Sequence, residues 1–258
     1  MNARTSSRPR TPTPILWVPA LIIACSAPAP ESEVATPTSD ARALLSRSIG
    51  FHDPGGVWSH RSVSLSWNGT GSESEERVAL DITMEPDGTT FSMAGRYRGH
   101  DIEYATTDAE MTVSVNGSAE IPAEIMEEMR LLREDGFFWR SYFGYLAGLP
   151  MKLMDPGTHI DPDPLETEFM GKTVDAIRVT YDADVGGDTW YFYFDPDTAE
   201  VVGCRFYHDE SINDGEYIVF EGRVEAGGLR LPARRSWYVN ADDRFLGSDE
   251  VSKLLVSG

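Results

Sequence analysis

The chain holds only two cysteines in 258 residues, Cys25 and Cys204. One disulfide is the most they could form, so this is not a small disulfide-stapled scaffold, and a structural zinc site built on thiolates is excluded. Lysine is scarce too: Lys152, Lys172 and Lys253 stand against 42 acidic residues, and the formal charge is −20. Binding to a phosphate backbone draws its energy from Lys and Arg, so this balance argues against nucleic acid as a partner. No Gly-x-Ser-x-Gly nucleophile turn, phosphate loop or dinucleotide fingerprint occurs, and so no motif names a reaction or a cofactor. Long apolar runs are missing as well, since "ILWVPALIIA" (15–24) is too short to span a bilayer as a mature helix.

That run does have a meaning beside its flanks. Arg4, Arg8 and Arg10 precede it without an acid, which is the pattern of an export signal. Ile22-Ile23-Ala24-Cys25 resembles the lipobox of bacterial lipoproteins, in which the thiol is lipidated, the signal is cut before the cysteine and the new N-terminus is acylated. The resemblance implies a signal peptide over 1–24 and a mature chain that begins at lipidated Cys25; an ordinary secretory peptide is the alternative. Dual acylation gives stable membrane anchoring where one chain does not. Ser26 stands where an aspartate would favour inner-membrane retention, which implies the outer membrane, facing the periplasm. Cys204 is then left without a disulfide partner, and losing the three arginines takes the mature chain from −20 to about −23.

"SAPAPESEVATPTSD" (26–40) has no apolar periodicity and reads as a tether, so 25–40 comprises the lipidated cysteine and a disordered linker. Ala41, Leu44, Leu45 and Ile49 recur at helical spacing, and "HDPGG" (52–56) stops that helix. From Val57 the period becomes two. Strands are expected at 63–67, 77–84, 89–97, 101–107 and 111–115, then at 176–183, 189–195, 201–209, 216–224 and 229–240, with turn-like links such as "PDG", "PDTAE" and "NDG". Between the two runs a helical insertion is expected over 121–148, with "IPAEIMEEMRLLRE" (121–134) as its first part and Gly148 and Pro150 as its stop. This order predicts a single β-rich α+β domain over 41–258, a strongly curved antiparallel sheet that forms an incomplete barrel covered by helices.

"FFWRSYFGYLAGLPMKL" (137–153) carries the functional question. As a helix it lines up Phe138, Tyr142, Tyr145 and Leu149 at spacings of three or four, and Trp139 and Phe143 widen the stripe beyond what a helix with a solvated outer side carries. Three readings stay open: core packing against the sheet, the lining of a cavity for an apolar ligand, and membrane insertion, which the acids at 127, 128, 134 and 135 disfavour. Candidate ligand-lining residues are Phe138, Trp139, Tyr142, Phe143, Tyr145, Met151, Met154, Trp190, Phe192 and Phe206, since aromatics and methionines make adaptable apolar surfaces.

Two polar patterns invite chemistry. His52-Asp53, His100-Asp101 and His208-Asp209 are adjacent pairs, yet neighbours on a strand point to opposite faces and cannot chelate one metal. "DADVGGD" (182–188) gathers three carboxylates but lacks the spacing of an EF-hand loop, and a hairpin turn accounts for its glycines. No catalytic or metal residue is assigned, and no cofactor.

The stretches "HDPGGVW", "GLPMKLMDPGT", "VTYDADVGGDTWYFYFDPDTAEVVGCRFYHDE", "NDGEYIVFEG" and "LPARRSWYVNADDRFLGSDE" resemble a family of exported bacterial lipoproteins known as domain of unknown function 6503, from about Asp40 to the C-terminus. The architecture also resembles the lipoprotein-localisation carriers, LolA and LolB, whose incomplete barrel with a helical lid holds acyl chains. The resemblance implies a membrane-anchored protein that binds a lipid or other apolar small molecule between the sheet run 176–240 and the helices 121–148. A non-catalytic interaction or scaffold module with a solid core is the alternative, and an envelope hydrolase the third.

Overall fold

The computed structural model describes residues 40–86, 88, 90–133 and 135–258, the side chains at 135–137 excepted. The expected signal peptide, Cys25 and the tether as far as residue 39 lie outside the described residues. Helix α1 (Asp40–His52) buries Ala41, Leu44, Leu45 and Ser48 along one stripe. It stops before Pro54, and the Asp53 carboxylate accepts the backbone N–H groups of Val57 (2.7 Å) and Trp58 (3.0 Å), which caps the short turn that follows.

Alternating apolar residues then build an antiparallel meander of β1 (Ser62–Gly71), β2 (Glu76–Met84), β3 (Phe91–Tyr97), β4 (His100–Thr106) and β5 (Met111–Val115). In β1 the buried apolar side chains are Val63, Leu65 and Trp67, set opposite Met84, Ile82 and Leu80 of β2. Helices α2 (Ala123–Glu128) and α3 (Asp135–Gly148) follow. A second meander consists of β6 (Thr158–Ile160), β7 (Leu165–Phe169), β8 (Lys172–Tyr181), β9 (Thr189–Phe194), β10 (Val201–Asp209), β11 (Asp214–Ala226), β12 (Leu229–Val239) and β13 (Phe245–Ser257).

The strand order is β5-β4-β3-β2-β1-β13-β12-β11-β10-β9-β8-β6, with β7 also on β8. The sheet is therefore open, with β5 at one end and β6 and β7 at the other, and β13 joins the two meanders by pairing with both β1 and β12. The expected incomplete barrel is the observed one. Its concave face packs α1 and α3 into one continuous apolar cluster, and a smaller cluster of Phe169, Val174, Ala176, Tyr193 and Tyr217 covers part of the outer face.

Two departures from the sequence reading have local causes. The helix expected over 121–134 ends at Glu128, because Arg130 takes a left-handed φ of 52°. That turn is held by the Trp139 indole N–H, which donates to the Arg130 carbonyl (2.7 Å), and by the Arg130 guanidinium over the Phe138 ring (4.3 Å). Strands β6, β7 and β13 were not expected. In β13 a register shift opposite Ser66 and Trp67 places Val251 and Leu254, three apart, both in the core, and the two-residue period is lost there.

Two polar groups fix the helices to the sheet. His52 is buried; its Nε2 accepts the Val201 N–H (3.1 Å), so Nδ1 carries the proton and donates to the Arg230 carbonyl (2.7 Å). Arg235, at 0 % exposure, donates from its two terminal nitrogens to the carbonyls of Pro232 (3.0 Å) and Leu146 (3.2 Å), the second being in the last turn of α3. Its guanidinium lies over the Trp67 ring (4.7 Å) and near that of Phe220 (5.8 Å).

Each anchor yields a prediction. Arg235→Ala removes the hydrogen bonds to two carbonyls and opens a cavity, and is expected to lower unfolding free energy in urea by about 3 kcal/mol or more; Arg235→Met, which refills the volume, is expected to recover part of that loss. Burial lowers the His52 pKa below its ordinary 6.5. The stability that this contact supplies is therefore complete above pH 6.5 and is withdrawn as pH falls below it. The advantage of the wild type over His52→Asn in urea midpoint should shrink between pH 7.5 and 5.0; an unchanged difference would contradict the buried neutral imidazole.

Candidate functional site

The aromatic stripe of α3 lies against the concave sheet and is largely filled in by it. Phe143, at 2 % exposure, meets Trp67 edge-on (5.4 Å) and stacks with Phe91 (6.3 Å) and Trp139 (5.7 Å). Tyr145 packs edge-on against Trp190 (5.6 Å), which in turn meets Phe192 (5.8 Å) and Phe206 (4.7 Å). The Tyr145 hydroxyl shares a hydrogen bond with that of Tyr181 (2.5 Å), and burial pushes both phenols above their ordinary pKa. Of the residues expected to line a cavity, the structure brings Trp139, Phe143, Tyr145, Met151, Trp190, Phe192 and Phe206 into one buried cluster, and Phe138 and Tyr142 sit half-buried at its margin. Met154 does not join them, being 56 % exposed on the turn after α3.

A cleft of about 550 Å³ opens beside α3, and of the expected residues only Tyr145 lines it. Its apolar surface comes from Trp58, Val63, Met84 and Tyr145; α3 adds Arg140, Ser141 and Gly144. The rim consists of the β2–β3 hairpin at Glu85, Pro86, Gly88 and Thr90, the segment from Lys152 to Gly157, and the β8–β9 turn at Asp182, Asp184 and Val185. Two glycines shape it. A Cβ on Gly148 would lie 2.5 Å from the Trp58 ring, so only glycine lets that indole pack on the helix end. A Cβ on Gly144 would have the Met84 sulfur at 3.9 Å as its nearest neighbour, so at Gly144 the missing side chain is open cleft.

These lining residues come from five separate segments, and no periodicity links them. The signal available in the sequence was Gly144, which interrupts the aromatic stripe between Phe143 and Tyr145.

The histidines pair across the fold and not with their chain neighbours. His159 meets Asp182 (2.6 Å) and His208 meets Asp188 (2.8 Å), so two carboxylates of the 182–188 turn are engaged by imidazoles. His100 bonds Asn116 (3.0 Å), and His52 serves the α1 anchor. Among the described residues no group of three His, Cys, Asp or Glu side chains could hold a metal ion. On β11 and β13, burial raises Glu216 to about 6 and also raises Asp249, which accepts the Trp237 indole N–H at 2.8 Å. The cleft's own equipment suits non-covalent binding: an apolar floor for a hydrocarbon and a rim of charges for a head.

Several solved structures are similar to the chain. A LolA superfamily protein from Nitrosomonas europaea is 10% identical, with 83% of this chain and 92% of that chain covered at a TM-score of 0.47. A domain named for outer-membrane lipoprotein sorting from Vibrio parahaemolyticus is 13% identical, with 84% and 90% covered at 0.45. A DUF1329 family protein from Desulfovibrio piger is 11% identical, with 84% and 93% covered at 0.45. No curated protein matches the chain in sequence. Residues 32–253, which include every cleft residue and all of the sheet but the end of β13, match the family of unknown function DUF6503, and the chain belongs to that family.

Proposed function

We propose that this is an exported, lipid-anchored envelope protein, facing the periplasm, whose half-barrel holds one amphipathic small molecule in the cleft beside α3. The observation that carries the reading is the cleft itself: about 550 Å³, floored by Trp58, Val63, Met84 and Tyr145 and rimmed by charge. That volume is of the size used for small-molecule sites. An acyl chain laid on the floor gains roughly 0.8 kcal/mol for each buried methylene, without any chemistry. The aromatic stripe is the frame of the site and not its lining: Phe143 and Trp139 fill the concave face and set the position of α3. The lipobox resemblance at Cys25 supports the anchor. A filled concave face also suits a scaffold module, and the open space at Gly144 favours the binding reading.

The test separates frame from lining. Palmitoyl lysophosphatidylethanolamine, added below its micelle concentration, should change the fluorescence of Trp58, with Trp58→Phe as the control. Gly144→Met should abolish that change while leaving thermal stability equal or higher, because a helical glycine costs about 0.5–1 kcal/mol. Phe143→Ala should instead destabilise the protein by about 3–5 kcal/mol. Binding that survives Gly144→Met would contradict the assignment. Independently, metabolic labelling with palmitate should mark the protein, and Cys25→Ser should remove both the label and the membrane association.

A further inference from the structure

The cleft rim is not balanced in charge. Among the described residues it carries four carboxylates, Glu85, Asp155, Asp182 and Asp184, against the two cations Arg140 and Lys152. Lys152 is already paired with Asp155, and Asp182 with His159. Glu85 accepts a hydrogen bond from the Ser62 hydroxyl (2.8 Å) but has no ion pair among the described residues, and Asp184 is exposed with neither. Glu85 on the β2–β3 hairpin and Asp184 on the β8–β9 turn thus stand at the mouth of an apolar-floored cavity without an ion pair among the described residues, and with Arg140 counted the rim still carries more carboxylates than cations. The chain as a whole, at a formal −20, offers no excess of positive charge to offset them.

Resting on the reading above, we infer that the ligand is an amphiphile whose head ends in a primary ammonium, with Glu85 and Asp184 as its recognition residues. An ammonium offers three donors and a positive charge, so it forms charge-assisted hydrogen bonds with carboxylates. A head with only a phosphate or carboxylate brings like charge to this rim and is repelled. A quaternary amine has the charge and lacks the donors.

The mature chain from Cys25, carrying Cys25→Ser so that no acyl chain of its own enters the assay, is titrated with three palmitoyl lysophospholipids by calorimetry. The ethanolamine head should bind about tenfold more tightly than glycerol or choline heads. Glu85→Gln combined with Asp184→Asn should erase that preference, with palmitoyl lysophosphatidylglycerol bound no more weakly than by the wild type and the thermal midpoint unchanged. Equal binding of ethanolamine and choline heads would overturn the ammonium assignment, as would a preference that survives the double substitution; in both cases the cleft would remain a lipid site. Absence of binding by all three would instead remove the proposed function and this inference together.

Discussion

A guanidinium buried at 0 % exposure governs the geometry of this molecule. Arg235 stands inside the half-barrel between a carbonyl of its own strand and the Leu146 carbonyl of α3, with its face on Trp67. Burial lowers its pKa to about 10, which still keeps it charged at neutral pH. Taking such a charge out of water is costly, and it is tolerated only where hydrogen bonds and an aromatic face replace the lost hydration. The consequence is positional: the last turn of α3 is tied to β12, and Phe143 and Tyr145 are set into the sheet one turn earlier. The cleft is lined by Arg140, Ser141, Gly144 and Tyr145 of that same helix, so its width depends on where α3 is held.

Much of the fold was legible in the sequence because one-sided burial writes a period of two into strands such as β1, β2 and β4. The element that closes the architecture was not legible. Strand β13, with Asp249, Glu250, Ser252 and Lys253 among its apolar residues, carries a bulge that breaks the alternation, yet it joins the two meanders into one sheet. Its Asp249 is buried where Gly69 of β1 leaves room, an arrangement only pairing can produce. The break after α2 was hidden for a related reason: a left-handed Arg130 is stabilised by Trp139, a contact across the turn that helix propensity does not record.

The candidate site was legible only in part. An aromatic stripe signals burial, but it does not say whether the far side is filled, and Trp190, Phe192 and Phe206 of the sheet fill it. The cleft depends on turns brought together by the pairing of distant strands, and its charges do not form a motif in sequence. Tyr145 is where the two accounts meet, because one face belongs to the aromatic cluster and the other to the cleft.

A buried arginine holds a helix, and that helix borders a cleft with a glycine at its wall, the proposed seat of an amphiphile. Hydrogen exchange read by mass spectrometry, with and without added palmitoyl lysophosphatidylethanolamine, tests the cleft most directly. Slower exchange is expected at the rim, at Glu85, Gly88 and Thr90, at Asp155 and Gly157, and at Asp182, Asp184 and Val185, with no change in the core strands 190–194 and 203–206. Protection confined to those core strands would place the ligand among the aromatics and contradict the cleft.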